Sequence, residues 1–458
     1  MPNYDAIIIG TGQAGPALAR RLVAAGWKVA IIERKLFGGT CVNTGCTPTK
    51  TLIASAYAAH VACRGGDYGV TIDGRITVDM KAVKARKDAV VAASRDGVER
   101  SLKTLRGCTV FQGHGHFVAE KRVAVNGSEL TADRVFINVG ARAQIPPIPG
   151  LEQVSYLTNS SMMEVDFLPS HLIILGGSYV GLEFAQMYRR FGSQVTVIER
   201  APRLIPREDE DVSQAIADFL KEEGVDVHLD SIVVGVDKQQ NTIAVNVESA
   251  GETSQVVGTH MLVATGRRPN TDDLGLDKAG IATDARHYIR VDDQLRTNVP
   301  GIWAMGDCNG RGAFTHTSWN DFEIVAANLL DNDQRRVSDR ITAYALYTDP
   351  PLGRAGMTEA EIRKTGKPAL ISTMAMAGVA RAYEKGETKG FMKILVDRES
   401  KQFLGASLLG LAGDEAIHCI LDLMYAKAPY TVMQRAMHIH PTVSEFIPTM
   451  MAALKPLQ

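Results

Sequence analysis

A strand, a glycine turn, a helix and a second strand ending on an acid occur twice in this chain, and no other feature narrows its fold as far. The first copy runs from Ala6-Ile7-Ile8-Ile9 through Gly10-Thr11-Gly12-Gln13-Ala14-Gly15 and a helical segment to the strand Val29 to Ile32, which ends on Glu33. A short continuous apolar run reads as a strand buried on both faces, as in a parallel sheet covered by helices. Its glycines make a tight turn, let backbone amides approach a pyrophosphate and let the helix pack close, while the acid is placed for a ribose hydroxyl. The second copy is Leu172-Ile173-Ile174-Leu175, then Gly176-Gly177-Ser178-Tyr179-Val180-Gly181, then Val195 to Ile198 and Glu199. In both copies the acid follows the last glycine by eighteen residues. Ser178 replaces the middle glycine of the second turn and leaves less room for backbone approach. Two such units imply two dinucleotides, most economically a flavin on the first and a nicotinamide cofactor on the second.

The stretch Gly38-Gly39-Thr40-Cys41-Val42-Asn43-Thr44-Gly45-Cys46-Thr47-Pro48-Thr49-Lys50 follows Glu33 almost at once, so the thiols and the first dinucleotide share a domain. Two cysteines five apart can oxidise to a disulfide in a small ring. Such a ring removes little unfolded-state entropy, so it serves better as a two-electron switch than as a staple. Thr47-Pro48 predicts a helix start with Thr47 as its cap, which sets Cys46 near a positive helix end and favours its thiolate.

Composition bounds the rest. Fifty basic against fifty-one acidic residues give a formal net charge of −1, with no block of like charge. That argues against nucleic acid or anionic membrane as a main partner, and no apolar run is long enough to span a bilayer. Six cysteines in 458 residues do not make a secreted disulfide framework, and the cytoplasm is expected. The remaining cysteines, Cys63, Cys108, Cys308 and Cys419, carry no motif. A polar helix is predicted from Lys81 to about Leu105 and antiparallel strands from Gly107 to Gly140, joined at Asn126-Gly127. Ile145 to Gly150 reads as a stiff linker. Further strand-to-glycine turns end at Gly266 and, in Gly301-Ile302-Trp303-Ala304-Met305-Gly306-Asp307, at an acid ahead of a helical run from Asp321. Asp331 to Arg340 reads as a charged hinge. Beyond it a separate domain of alternating strands and two helical stretches ends in His438-Ile439-His440-Pro441-Thr442-Val443-Ser444-Glu445, where the carboxylate can orient His440 as a base. For Glu199 against Arg200 and Arg203, the acid favours NADH and the arginines offer charge to the extra phosphate of NADPH, and both stay open.

Taken together, the cysteine motif, the two glycine turns, Gly301 to Asp307 and His440-Pro441-Thr442 to Glu445 resemble the flavoprotein disulfide reductase family, which includes dihydrolipoamide dehydrogenase, glutathione reductase and mercuric reductase. The resemblance covers essentially the whole chain in order. It implies an α/β fold of two Rossmann-like dinucleotide-binding domains plus an α+β C-terminal dimerisation domain. The expected boundaries are 1–150 for the FAD domain with the redox disulfide, 151–270 for the NAD(P) domain, 271–340 for a segment completing the FAD site, and 341–458 for the interface domain. It also implies a homodimer with shared active sites and FAD and NAD(P)H as cofactors.

Carried over by motif, Cys46 is the thiol next to the flavin and Cys41 the outer thiol that meets the acceptor. His440 with Glu445 shuttles the proton. Lys50 and Glu183 form the ion pair near the flavin's reactive nitrogen, and Tyr179 covers the nicotinamide pocket. Gly10, Gly12, Gly15, Glu33, Gly39, Thr40, Gly140 and Asp307 are expected at FAD, and Gly176, Gly181, Glu199, Arg200 and Gly266 at the nicotinamide cofactor. Electrons then pass from NAD(P)H through FAD and the disulfide to a small-molecule acceptor, which is a disulfide, an oxidant or a thiophilic species. The Tyr347-Thr348-Asp349-Pro350 run and the segment Lys81 to Glu99 resemble mercuric reductase sequences, without that enzyme's cysteine pair near the C-terminus. Sequences of this kind include enzymes that remove hypothiocyanous acid. Two alternatives are a dihydrolipoamide dehydrogenase and, from another class, a flavin-bound redox sensor that does not turn over.

Overall fold

The N-terminal apolar run forms β1 (Asn3–Ile9), with Ala6, Ile7 and Ile8 wholly buried, in a computed structural model that describes residues 2–457. Helix α1 (Ala14–Ala24) leads to β2 (Val29–Glu33), and α2 (Gly39–Thr44) with α3 (Cys46–Cys63) follow. Helix α4 (Met80–Lys103), capped by the Asp79 carboxylate, crosses to β3 (Cys108–Gln112). Then come β4 (His116–Ala119), β5 (Arg122–Val125) and β6 (Ser128–Ile137). The sheet order is β3-β2-β1-β6-β5-β4. The segment 107–140 is therefore not antiparallel throughout, as its alternation suggested. β3 pairs parallel with β2, and β6 pairs parallel with β1 while its first half makes the antiparallel hairpin with β5 through Asn126-Gly127, both at positive φ.

After β7 (Ala141–Ala143) the second glycine-turn unit builds β8 (His171–Leu175), α5 (Tyr179–Phe191), β9 (Gln194–Ile198), α6 (Glu210–Glu222) and β10 (Asp226–His228). A meander of β11 (Ile232–Gln239), β12 (Thr242–Ser249) and β13 (Glu252–Gly258) precedes β14 (His260–Val263), which completes a parallel sheet of order β10-β9-β8-β14. The 145–150 segment is more than a linker, because the Pro149 carbonyl accepts from Val236 N–H of β11. Strand β15 (Arg267–Pro269) pairs with β7, and β16 (Ile302–Ala304) returns to the first sheet to pair parallel with β6.

Helix α7 (Thr315–Leu330) starts six residues ahead of the expected Asp321, because the Thr317 hydroxyl accepts from the Phe314 amide and closes the first turn. The expected hinge at 331–340 is tied down. Val337 N–H bonds the Asp293 carbonyl, Ser338 bonds the Asp293 carboxylate, and Arg340 pairs with Asp321. The last unit is an antiparallel sheet of β17 (Ala343–Leu346), β18 (Leu352–Gly356), β19 (Ala369–Ala375), β20 (Phe391–Asp397), β21 (Phe403–Leu409) and β22 (Lys455–Pro456), in the order β17-β18-β21-β20-β19-β22. It carries five helices rather than two: α8 (Glu359–Thr365), α9 (Ala380–Glu384), α10 (Gly413–Tyr425), α11 (Thr431–Gln434) and α12 (Phe446–Ala452). Four of these are too short or too irregular to show a helical apolar period. Among the described residues no helix is long and apolar enough to cross a membrane.

Candidate active site

Two glycine turns hold their helices against their strands by close backbone approach. A Cβ on Gly15 would meet the Gly10 carbonyl oxygen at 2.3 Å, and one on Gly181 the Gly176 carbonyl oxygen at 2.0 Å. Gly10 and Gly176 also sit at φ +106° and +109°, where side chains are disfavoured. The Asn138 amide, which the sequence gave no reason to single out, donates to the carbonyl of Gly12 at 3.2 Å and fastens the first turn to the end of β6. Each acid braces its own turn. Glu33 accepts from Thr11 N–H (3.1 Å), the Thr11 hydroxyl (2.6 Å) and Lys35 N–H (2.8 Å). Glu199 accepts from Gly177 N–H (2.6 Å) and Ala201 N–H (2.8 Å). Arg200 is exposed beside it, and Arg203 reaches the Pro206 carbonyl at 3.4 Å.

Gly39, at φ +64°, would drive a Cβ to 2.8 Å from the Gly12 Cα, so the cysteine segment lies directly on the first glycine turn. Thr40 is exposed there, ahead of Cys41. Helix α3 begins at Cys46, with Gly45 as its N-cap and no side-chain cap. Thr47 therefore does not cap it, and Cys46 is itself the first helical residue, against the positive end of an 18-residue helix. The Cys41 thiol hydrogen-bonds Cys46, the Thr315 hydroxyl lies 3.1 Å from the Cys46 sulfur, and Lys50 adds a positive charge one turn on. In that order of size these favour the thiolate against the opposing cost of burial and bring the Cys46 thiol down to about 6. Cys41 moves the other way, raised by its bond to Cys46 and then by burial.

Lys50 Nζ pairs with Glu183 of α5 at 2.6 Å and sits 4.4 Å over the Tyr347 ring. The second oxygen of Glu183 accepts from Tyr347 N–H at 3.2 Å, so one carboxylate joins α3 of the first unit, α5 of the second and the segment after β17 of the last. Tyr179, the first residue of α5, packs edge-on against Phe314 (centroids 5.9 Å) and Tyr344 (5.6 Å). Burial pushes its phenol up to about 12. Phe314, Thr315 and Tyr344 carry no sequence signal, since they enter from far along the chain.

Asp307 lies on a short turn just after β16, where burial raises its carboxyl against the opposing charge of Arg267. Arg267 Nε stands 3.4 Å from it and makes no hydrogen bond, although buried. An acceptor beside an unsatisfied donor fits a hydroxyl-bearing chain such as the ribityl of a flavin. Gly140 has nothing within 4 Å of its Cβ position, and Gly266 has only Gln144 at 3.8 Å, so both border open space. His440 and Glu445 form a pair of their own, with Nδ1 3.1 Å from either carboxylate oxygen and Glu445 steadied by Thr442 N–H at 3.1 Å. No contact joins this pair to Cys41 or Cys46 within the subunit. Around it Met437 is 99% and Ile439 79% exposed, an apolar rim of the kind a partner surface covers.

Residues 4–321 match the family of pyridine nucleotide-disulphide oxidoreductases, and residues 342–451 match the dimerisation domain of that family. RclA of Escherichia coli K12, described as a probable pyridine nucleotide-disulfide oxidoreductase, is 36% identical, covering 99% of this chain and 100% of that one. A mercuric reductase of Streptomyces lividans is 33% identical, with 97% and 94% covered. A dihydrolipoyl dehydrogenase of Thermus scotoductus is 32% identical, with 97% and 96% covered. The solved HOCl-induced flavoprotein disulfide reductase RclA superimposes with a TM-score of 0.90 at 36% identity over 98% of this chain and 99% of that one. Its Cu(II) complex gives 0.91 at 35% over 99% and 100%. The chain thus belongs to the pyridine nucleotide-disulphide oxidoreductases, enzymes that use FAD and NAD(P)H and carry a dimerisation domain.

Proposed function

We propose that this protein reduces a small oxidant or thiophilic species at the Cys41–Cys46 pair, with electrons drawn from NAD(P)H. The observation that carries the reading is the split between two touching thiols, with Cys46 held as an anion at a helix start and Cys41 held protonated beside it. In this reading residues 1–150 and 271–340 hold FAD, 151–270 the nicotinamide cofactor, and 341–458 the partner subunit. FAD and NAD(P)H, when bound, would supply two-electron reducing chemistry to the Cys41–Cys46 disulfide. Gly10, Gly12, Gly15, Glu33, Gly39, Thr40, Gly140 and Asp307 would hold the flavin, and Gly176, Gly181, Glu199, Arg200 and Gly266 the nicotinamide nucleotide, with Tyr179 over its ring. The Lys50–Glu183 ion pair would lie near the flavin's reactive nitrogen.

The chain's own thiols then complete the chemistry. Cys41 gives up its proton and its sulfur attacks the sulfur of an oxidant such as hypothiocyanous acid, forming an S–S bond as the S–O bond breaks and hydroxide leaves as water with that proton. The Cys46 thiolate then attacks Cys41 sulfur, thiocyanate leaves with the bonding pair, and the disulfide is restored; Cu(II), a one-electron acceptor, is consumed two ions per disulfide. His440, oriented by Glu445, takes and returns the proton at the thiols of the other subunit. The descriptions of RclA as HOCl-induced and as a Cu(II) complex support an oxidant or a redox-active metal ion as acceptor class.

The test is steady-state oxidation of NADH and NADPH with hypothiocyanous acid, Cu(II) or oxidised lipoamide as acceptor. Rapid turnover with one of the first two and slow turnover with lipoamide is expected, and Cys46→Ser abolishes it while FAD stays bound. Turnover confined to lipoamide, or surviving in Cys46→Ser, overturns the reading.

A further inference from the structure

Three buried polar atoms close to Tyr179 have no hydrogen-bond partner among the described residues: the Tyr179 hydroxyl, Glu208 Oε2 and Arg354 Nη2. Glu208 and Arg354 are only 2% and 1% exposed, and unsatisfied polar groups at that depth are costly enough to need a reason. The reason lies in what they hold. Tyr344 donates its hydroxyl to Glu208 Oε1 at 2.5 Å, and Arg354 stands 4.0 Å from the other carboxylate oxygen, itself fixed by the Ser407 hydroxyl at 2.7 Å. The Tyr344 ring stacks on Phe314 with centroids 5.5 Å apart and 14° between planes. Tyr179 rests edge-on against both, at 83° and 89°, with its own hydroxyl free. Tyr344 is thus pinned at its hydroxyl, and Phe314 and Tyr179 pack against its ring.

Glu208 cannot shift easily, because its neighbour Asp209 accepts from Glu359 N–H (3.0 Å) and Ala360 N–H (3.1 Å) in the first turn of α8 and pairs with the buried Lys393 at 3.0 Å. The anchor therefore spans from the loop before α6 to the C-terminal unit. We propose that Glu208, acting through Tyr344, is the positioning residue that seats Tyr179 at the nicotinamide pocket. This rests on the reading of Tyr179 as the cover of that pocket. A seated ring leaves the pocket in one state. An unseated ring samples rotamers that fill it, and the apparent dissociation constant of the nucleotide rises by the inverse of the open fraction.

The experiment uses FAD-loaded dimer and calorimetric titration with NAD⁺ and NADP⁺, together with KM and kcat for the reduced nucleotides and the melting temperature. Glu208→Gln and Tyr344→Phe, which keep volume and remove the carboxylate or the hydroxyl, are each expected to weaken nucleotide binding about fivefold. KM should rise more than kcat falls, and the double variant should be no worse than Tyr344→Phe alone, since both act along one path. A changed melting temperature with unchanged nucleotide binding overturns the proposal, as does an additive double variant. Tyr179→Ala separates the two levels. If it too leaves binding unchanged, the reading of Tyr179 itself has failed. If it weakens binding while Glu208→Gln and Tyr344→Phe do not, only the anchor has.

Discussion

A single hydroxyl, that of Thr315, decides much about Cys46. It lies 3.1 Å from the sulfur and adds to the Cys41 bond and the Lys50 charge in favouring the anion. The sign is simple: a thiol lowered to about 6 is anionic above that pH and protonated below it. Ultraviolet titration of the reduced protein should show one thiolate lost as pH falls through about 6, a transition absent in Cys46→Ser. Thr315→Val should move it up by about one to two pH units, the worth of one hydrogen bond to a charged group. A midpoint unmoved by that change would assign the anion to the Cys41 bond, the helix start and Lys50. The cysteines announced themselves through their spacing and glycine setting, whereas Thr315 sits 269 positions from Cys46 in an unremarkable Thr-His-Thr run. A contact made only by folding leaves no local pattern. For the same reason Asn138 and Tyr344 were invisible, while Lys50, one helical turn from Cys46, was not.

At the scale of the element, both glycine turns were legible because backbone sterics write them into sequence. Only glycine tolerates φ near +106° with a carbonyl 2.3 Å from the would-be Cβ. Gly15→Ala should therefore push α1 off β1. A lower flavin-to-protein absorbance ratio is expected, with a stability loss of about 1–3 kcal/mol by thermal or urea melts. Gly181→Ala should raise KM for the nicotinamide nucleotide and leave flavin content intact. The opposite pattern would exchange the two cofactor assignments. Helix starts were less legible. α3 begins at Cys46 without the Thr47 cap, and α7 at Thr315 rather than Asp321, because the N-capping interaction of each is made by backbone geometry or a local hydroxyl rather than by a recognisable cap residue. Strand direction was also hidden, since β3 carries an alternation that suits either a parallel or an antiparallel neighbour.

At the scale of the molecule, the His440–Glu445 pair makes no hydrogen bond or ion pair with Cys41 or Cys46 of its own subunit, and Met437 and Ile439 beside it are exposed. An inactive His440→Ala chain mixed with an inactive Cys41→Ser chain should regain about a quarter of wild-type activity. Random exchange makes half of the dimers mixed, each with one intact site of two. No recovery after verified exchange would place base and thiol within one chain. The family resemblance marks 271–340 as a segment completing the flavin site without showing that β16 pairs parallel with β6 of the first sheet.

That return has a consequence for how the protein is made. Strands β7 and β15 lie side by side, with Arg267 opposite Ala143, so everything between them leaves the first sheet and comes back through one doorway. A ribosome emits the inner unit, β8 to β14, as a whole before it emits β16. The unit begun second is thus finished first, and the outer one waits, lacking both its last strand and Asp307. If Asp307 holds the flavin as proposed, flavin capture waits until β16 and Asp307 have left the ribosome, long after the Cys41–Cys46 segment has emerged.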